Sequence, residues 1–351
     1  MGVMQFFAPI LAKNYEGGYA SAGFFRTLAP VGIVISILLT VLAIIGIWEK
    51  DQPKYFGIGG EVSEKVKLHE YVQIIKNNNP MQRLMVAGAG CKLALSIATN
   101  TTVLCMLYGC MMGSYDGLYL PMMVLGYVFS VPFFLLTVRT SQKEGQKASL
   151  MKYVSVAFIC YIGVLVLLML WGRSDAFTLS IMGDNGLSIN LYTILFIAFF
   201  GIGYGAYYAT ADMPIPMVAD CSDYETYRSG SYIPGIMGTL FSLVDKLVSS
   251  LSATVVGIAV SFIGLESLPT QYDPYTPGMN WVVIVLFCII PMVAWAATLI
   301  AMKGYSLTGE KMKEIQAVNA CRRDAVANGM KLEEAMTKWQ SMDQLPAEYR
   351  S

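Results

Sequence analysis

The segment ADCSDYETYRSG, at residues 219–230, concentrates groups that carry charge or form hydrogen bonds. It holds three carboxylates, two tyrosines and one arginine, and long apolar stretches lie on both sides of it. Carboxylates and an arginine at such short spacing can form ion pairs that break and re-form when a protein changes conformation. The simpler interpretation is a solvated polar connection with an aspartate near the start of a helix. The nature of the apolar stretches decides between the two.

The composition is typical of a membrane protein. Of the 351 residues, 55% are hydrophobic and 14% are charged, whereas soluble domains carry about 25% charged residues. The formal net charge is zero, which argues against a nucleic-acid partner. A single histidine argues against a histidine-based metal site or catalytic triad. We therefore expect no enzyme activity, no metal and no cofactor.

Apolar runs of about 18 residues or more predict membrane-spanning helices. Lysine and arginine are abundant in alternate connections between these runs, which places residues 49–83, the acidic segment and the C-terminus in the cytoplasm. We predict an all-α polytopic membrane protein of the plasma membrane. The first dozen residues look like the end of another span, so we expect the sequence to start partway through a larger protein. The seven predicted spans are Leu28–Trp48, Leu84–Met111, Leu118–Val138, Tyr153–Trp171, Leu191–Ala211, Pro234–Ile263 and Trp281–Met302.

The acidic segment, followed by a span that holds Lys246, resembles the glycoside–pentoside–hexuronide:cation symporters, which include the melibiose and glucuronide carriers. The matching residues are Asp220, Asp223, Tyr224, Arg228 and Lys246, with the family's glutamate at Glu225 or next to it. The segments KNNNPMQRL and SQKEGQK also resemble the family's entry to helix seven and its loop between helices eight and nine. The resemblance covers essentially the whole chain. It implies the C-terminal six-helix half of a major facilitator fold, plus the preceding helix.

This resemblance divides the chain into four parts. Residues 1–48 would be the end of helix five and helix six, and residues 49–83 a basic cytoplasmic linker. Residues 84–303 would form the six-helix half, and residues 304–351 a cytoplasmic helical tail, which we expect to be a solvated cap. In this family the acidic cation-binding residues and most sugar ligands lie on the first helices, which this chain lacks.

The resemblance assigns the acidic segment to a cytoplasmic gate, formed by ion pairs between the two halves of the transporter. The gate candidates are Asp220, Asp223, Tyr224, Glu225 and Arg228, and Asp212 at the end of the preceding span is expected to join them.

Lys246 lies about a dozen residues into its span, where a charge is costly and therefore a functional candidate. The resemblance implies that it faces the central cavity near the sugar and cation sites, with Ser242 as a candidate for the same site. The alternative is that its ammonium reaches the membrane interface. Lys92, nearer a helix start, is expected to reach the interface in this way. Asp245, next to Lys246, is expected to point towards another helix or the cytoplasm.

The predicted span Leu84–Met111 contains a polar patch at Ser96, Thr99 and Asn100, whose spacing places them on one side of a helix. Such groups can bind sugar hydroxyls, or form hydrogen bonds between helices. Gly201 and Gly205 form a GxxxG pattern, which favours close helix packing. His69, in the basic linker, is expected on a surface helix.

The predicted function is secondary active transport of a glycoside, pentoside or hexuronide by alternating access, coupled to Na⁺ or H⁺. The expected partners are the sugar, membrane lipid, and a missing N-terminal half or a partner chain. Two other interpretations stay open: an exporter or lipid carrier on the same scaffold, and a half-transporter that acts as an accessory membrane subunit or does not transport at all.

Overall fold

The computed structural model describes residues 7–8, 10–16, 18–49, 75–183, 186–187 and 189–350. The chain forms two compact units, Met1–Ser63 and Glu64–Ser351. The surface helix predicted around His69, and most of the predicted linker 49–83, lie outside the described residues.

The first unit is built around one long helix, α1, which spans Ala22–Ile47. Phe24, near its start, is buried and meets the rings of Tyr15 and Tyr19 edge to face. The Tyr15 hydroxyl forms a hydrogen bond of 2.6 Å with the Thr27 hydroxyl. Beyond this anchor, the apolar side chains of α1 are exposed within their unit, which is typical of a helix in lipid.

The second unit is helical apart from a short hairpin, β1 (Met182–Gly183) and β2 (Gly186–Leu187). Within the described residues, six helices of the chain are long and apolar enough to cross a membrane, or seven if one bent pair counts as a single span. This confirms the predicted all-α polytopic fold. The helices of this unit are α2 Asn79–Ala98, α3 Thr101–Met111, α4 Tyr115–Glu144, α5 Gln146–Leu170, α6 Leu191–Thr210, α7 Pro214–Ser229, α8 Pro234–Ser261, α9 Met279–Lys303, α10 Gly309–Ala327 and α11 Leu332–Lys338.

The bent pair is α2 and α3, whose directions differ by 46°. The prediction of one continuous helix over 84–111 is therefore wrong at residues 99–100. The Thr99 hydroxyl donates to the Leu95 carbonyl, and the Asn100 side chain accepts from the Thr102 amide, which caps α3. Side chains of this type compete with the helical backbone for its hydrogen bonds, and here they end one helix and begin the next.

Helix α2 is central to the packing, because it contacts α8, α9 and α7. Two of its glycines permit this. A Cβ atom at Gly90 would collide with the Ala294 carbonyl of α9, and one at Gly88 would lie 2.6 Å from the Phe241 ring of α8. The Thr298 hydroxyl of α9 also donates to the Ala87 carbonyl at 3.1 Å. Small residues thus bring α9 onto α2 at backbone distance and make room for the Phe241 ring of α8.

The GxxxG pattern of α6 is used for packing, as its spacing predicts. A Cβ atom at Gly201 would lie 2.6 Å from the Phe129 ring of α4, and one at Gly205 would lie 2.7 Å from the Phe129 carbonyl. Tyr204 and Tyr207 on the same helix are buried among other aromatic rings.

Helices α2 and α8 begin, and α6 and α9 end, at the same end of the second unit, where α7 and the C-terminal residues also lie. We call this the tail end. The tail, Gly309–Arg350, is not the solvated cap expected from the sequence. It folds around its own small apolar cluster and packs on α7. The cluster consists of Val318, Cys321, Ala335, Trp339 and Leu345.

Several hydrogen bonds fasten the tail to α7. Arg322, which is 6% exposed, donates one hydrogen bond to the Tyr227 carbonyl and two to the Trp339 carbonyl. The Tyr227 hydroxyl donates to the Gln340 carbonyl at 2.6 Å. Asn319 donates to the Asp223 carbonyl at 2.9 Å. The buried guanidinium thus joins α7, α10 and the segment that follows α11.

We expect Arg322→Ala to detach the tail without unfolding the membrane helices. The substitution leaves two carbonyls without their charged donor, at a cost of about 3 kcal/mol. Hydrogen exchange of α10 and α11 should become faster, while α2 and α9 keep their protection. Arg323→Ala is the matched control, because that neighbouring side chain is 58% exposed. Equal exchange in both variants would show that Arg322 does not hold the tail.

Candidate functional site

Helix α8 presents a polar row to the outside of the second unit. Thr239, Ser242, Lys246 and Ser250 follow one another at spacings of three or four residues, so they lie along one side of the helix. All four are exposed, and a second exposed row at Leu243, Leu247 and Leu251 is apolar. The helix therefore shows two different outer surfaces, of which only the apolar one suits lipid.

Lys246 lies deep along α8, which is one of the helices long and apolar enough to cross a membrane. It is twelve residues from the start of α8, which is about 18 Å along the helix axis, and the hydrocarbon core is about 30 Å thick. Its side chain is 81% exposed. A lysine at this depth is costly in lipid, which favours water or another protein segment on this side of α8.

Asp245 joins two lysines at this depth. Its carboxylate lies 3.3 Å from the ammonium of Lys92 on α2 and 3.8 Å from that of Lys246. Of the two directions expected for Asp245, towards another helix or towards the cytoplasm, the structure has the first. Lys92 of α2 pairs with the Asp245 carboxylate of α8. This overturns the expectation that the Lys92 ammonium reaches the membrane interface.

The polar patch of α2 continues from Lys92. Ser96 lies one turn beyond Lys92, and Thr99 lies nearly two turns beyond it. The three residues therefore lie on one side of α2, and this is the side on which Lys92 pairs with Asp245. Ser96 and Thr99 are partly exposed. Asn100 is occupied in capping α3. The structure thus places Ser96 on α2, and Ser242 and Lys246 on α8, which packs against α2.

The acidic segment lies on a helix, α7, and not on an extended connection. Together α6 and α7 cover 39 residues, or about 58 Å if straight, which is almost twice the thickness of the hydrocarbon core. The apolar α6 fills that core, so α7 emerges from it at the tail end.

Glu225 is the buried member of the acidic segment, at 2% exposure. It accepts hydrogen bonds from Asn78 at 2.9 Å and from Arg228 at 2.7 Å. Asn78 is itself fully buried and caps α2 by accepting from the Met81 amide. These contacts fix α7 to the start of α2, so the partners of Glu225 and Arg228 lie within this unit.

The other gate candidates are placed apart from Glu225. Asp212 is exposed and lines one cavity, and Asp220 lines a second cavity of about 390 Å³ between the α4–α5 turn and the start of the tail. Burial, and then the nearby Asp223, raise the pKa of Asp220 to about 6. Burial also raises the pKa of Asp223, whose backbone is held by the tail. Tyr224 is partly buried and stacks on Tyr227.

The candidate list from the sequence lacked Asn78 and did not join Lys92 to Asp245. A signal existed for the ion pair, because opposite charges at equal depth on two spans must find partners. The segment KNNNPMQRL marked a helix start at Asn78 but not its contact with Glu225, because an asparagine is an ordinary helix cap.

We expect Asp220→Asn to stabilise the protein at pH 8 and to have little effect at pH 4. The folded protein binds this proton more tightly than the unfolded chain, whose aspartate has the usual pKa of 3.8. The stability that this binding provides is therefore full below pH 3.8 and lost as the pH rises through about 6. Thermal unfolding in detergent at both pH values measures the difference.

Asp175→Asn, at an exposed position between α5 and α6, is the control for this comparison and should unfold like the wild type. A less stable Asp220→Asn variant at pH 8 would mean that the Asp220 carboxylate makes a favourable contact.

Two comparisons with known proteins bear on this arrangement. Residues 1–309 match a family model described as "MFS/sugar transport protein". The chain is also similar to a protein of Pseudescherichia vulneris described as "Uncharacterized 29.9 kDa protein in crtE 3'region", with 28% identity over 124 residues. That alignment covers 35% of this chain and 43% of the relative, so it spans less than half of the relative's length. Because the family model covers most of the chain, and its apolar helices cross a membrane several times, the chain belongs to the MFS/sugar transport family of multi-pass membrane proteins.

Proposed function

We propose that this chain forms one side of the substrate pathway of a secondary active transporter for a glycoside, pentoside or hexuronide, driven by Na⁺ or H⁺. The observation that carries the proposal is the exposed polar row of α8. Lys246 and Ser242 cannot face hydrocarbon at mid-membrane depth, so this side of α8 faces a water-filled path. A second six-helix unit would close the path on its other side, as in transporters built from two repeats.

The broken helix supports the same interpretation. Transporters place substrate sites near the bilayer midplane, beside interrupted helices whose ends expose polar groups. The break between α2 and α3 follows the row that leads from Lys92 through Ser96 to Thr99. Hydroxyls of Ser96, Thr99 and Ser242, with the ammonium of Lys246, are the proposed substrate ligands. Asn100 contributes by keeping the break in place.

The tail end is the proposed cytoplasmic side, and α7 the proposed gate. Asp220, Asp223 and Asp212 would form ion pairs with the opposite half when the inner side is closed. Glu225 and Arg228 would act indirectly, because their contacts with each other and with Asn78 hold α7 on α2. In this proposal the protein lies in the plasma membrane, with its C-terminus in the cytoplasm.

An exporter or lipid carrier on the same scaffold is the alternative that the structure addresses. An apolar substrate has no use for the hydroxyls of the α2 and α8 rows. Ser96→Val discriminates between the two functions more cleanly than a change at Asn100, which also caps a helix. Loss of sugar uptake in that variant favours the sugar transporter, and unchanged transport favours the apolar substrate.

We expect Lys246→Ala to abolish cation-driven sugar uptake while leaving the protein folded. Its side chain lies outside the packed core, so removal costs little stability but takes the central charge from the path. Uptake of labelled methyl β-glucoside, xylose and methyl β-glucuronide into proteoliposomes, under a Na⁺ or proton gradient, measures the effect.

Lys152→Ala is the control for that experiment, because Lys152 is also an exposed lysine of a span but lies on α5. Wild-type uptake in the Lys246→Ala variant would contradict the proposal.

A further inference from the structure

An open groove with a volume of about 450 Å³ runs between α2 and α9 near the tail end. Its apolar part is lined by Val86, Ala297 and Ile300, and all three side chains are exposed. Its polar end is lined by Arg83 and Asn79 of α2. The groove therefore combines an apolar channel along two helices with a cationic side chain at one end.

The polar end lies at the depth of lipid headgroups. The exposed Trp281, near the start of α9, and Lys303, at its end, are 22 residues apart, or roughly 33 Å along the helix. That length matches the hydrocarbon core of about 30 Å, and both residue types are typical of its two interfaces. Arg83 donates to the Ala301 carbonyl at 3.5 Å, and a Cβ atom at Gly304 would collide with its guanidinium. Arg83 thus lies beside the end of α9, at the interface.

The positive charge at this end has no acidic partner in the part of the chain that the structure describes. Helices α2 and α9 carry no aspartate or glutamate, and no ion pair joins a carboxylate to Arg83 or Lys303. Glu310, the next acid after Lys303 in the sequence, is exposed to water. Glu225, near the start of α2, is buried and already paired with Arg228 at 2.7 Å.

The acidic residues at greater depth act on other groups. The charge of Asp212 acts on Cys91, and Asp245 pairs with Lys92 at 3.3 Å. Cys91 and Lys92 lie eight and nine residues beyond Arg83 on α2, which is about 12 Å or more along the helix. Both carboxylates thus act about two turns deeper than Arg83, and the groove keeps its positive charge.

Arg83 is held in a position that suits a phosphate. Its Nε atom donates to the Asn79 side chain at 2.7 Å, and Gly304 has no side chain that would displace the guanidinium. A guanidinium binds phosphate through parallel N–H donors. Basic pockets between membrane helices at the interface bind the headgroups of anionic lipids. A phospholipid presents a phosphate next to acyl chains, which is the combination of groups that the two parts of this groove accommodate.

We propose that the groove binds an anionic phospholipid, with its phosphate at Arg83 and Lys303 and one acyl chain along Val86, Ala297 and Ile300. The bound lipid bridges the start of α2 and the end of α9. The inference goes beyond the proposed function and does not depend on it, because none of the residues that line the groove belongs to the proposed substrate path.

Native mass spectrometry of the full chain in detergent tests this inference. The protein is titrated with phosphatidylglycerol and with phosphatidylcholine that carries the same acyl chains. We expect the first phosphatidylglycerol to bind at least fivefold more tightly than the first phosphatidylcholine, because the choline group offsets the phosphate charge. Glycerol 1-phosphate, which has the phosphate without the acyl chains, should bind at least tenfold more weakly than phosphatidylglycerol.

Two variants examine the two parts of the groove. Arg83→Gln removes the charge and should reduce the preference for phosphatidylglycerol to less than twofold. Arg139→Gln is its matched control, because Arg139 is an exposed arginine near the end of α4 and outside the groove. Ala297→Trp fills the apolar part from an exposed position and should weaken phosphatidylglycerol binding at least fivefold. Val131→Trp, at an exposed position of α4, is the control for the added bulk.

Equal binding of the two lipids by the wild type overturns the site, and so does a preference that survives Arg83→Gln. Glycerol 1-phosphate that binds as tightly as phosphatidylglycerol indicates a site for free phosphate and overturns the lipid. A preference that is lost in Arg83→Gln and kept in Arg139→Gln supports the site. If thermal unfolding shows that Arg83→Gln does not fold, Ala297→Trp decides, because unchanged phosphatidylglycerol binding in that variant overturns the groove.

Discussion

Ionised side chains in the hydrocarbon core must have a partner or contact water, and this constraint shapes the second unit. The Asp245 carboxylate meets it by joining Lys92 of α2 to Lys246 of α8. The pair that it forms with Lys92 fixes the rotation of α8 on α2. That rotation leaves Lys246 and Ser242 exposed on the outer side. The side of α8 that cannot face lipid is therefore set by a contact on its packed side.

Backbone groups obey the same constraint. Where the helix is interrupted between α2 and α3, the side chains of Thr99 and Asn100 replace hydrogen bonds that the membrane cannot supply. In the proposed pathway, an interruption of this kind exposes polar groups at the depth of the substrate. Close packing supports it, because Gly90 and Thr298 hold α2 against α9 at backbone distance. The central helix is thus both tightly packed and broken near the proposed site.

Helix α7 connects the membrane helices to the tail. On one side Glu225 accepts from Asn78, which caps α2. On the other side the Tyr227 carbonyl accepts a hydrogen bond from the buried guanidinium of Arg322. A displacement of α7 therefore acts both on the start of a central helix and on the tail. This coupling follows from hydrogen bonds of buried groups, which are costly to leave unpaired.

The sequence by itself determined the fold class and the positions of most apolar spans, and it named Lys246 as a candidate, because apolar length and a charge within an apolar run are local properties of the chain. It also predicted the packing role of Gly201 and Gly205. Only the tertiary structure decided which groups meet: Lys92 with Asp245, and Asn78 with Glu225, 147 residues away. It also decided that the tail folds onto α7. Such pairings depend on how helices distant in sequence are rotated and packed, and local composition does not encode that arrangement.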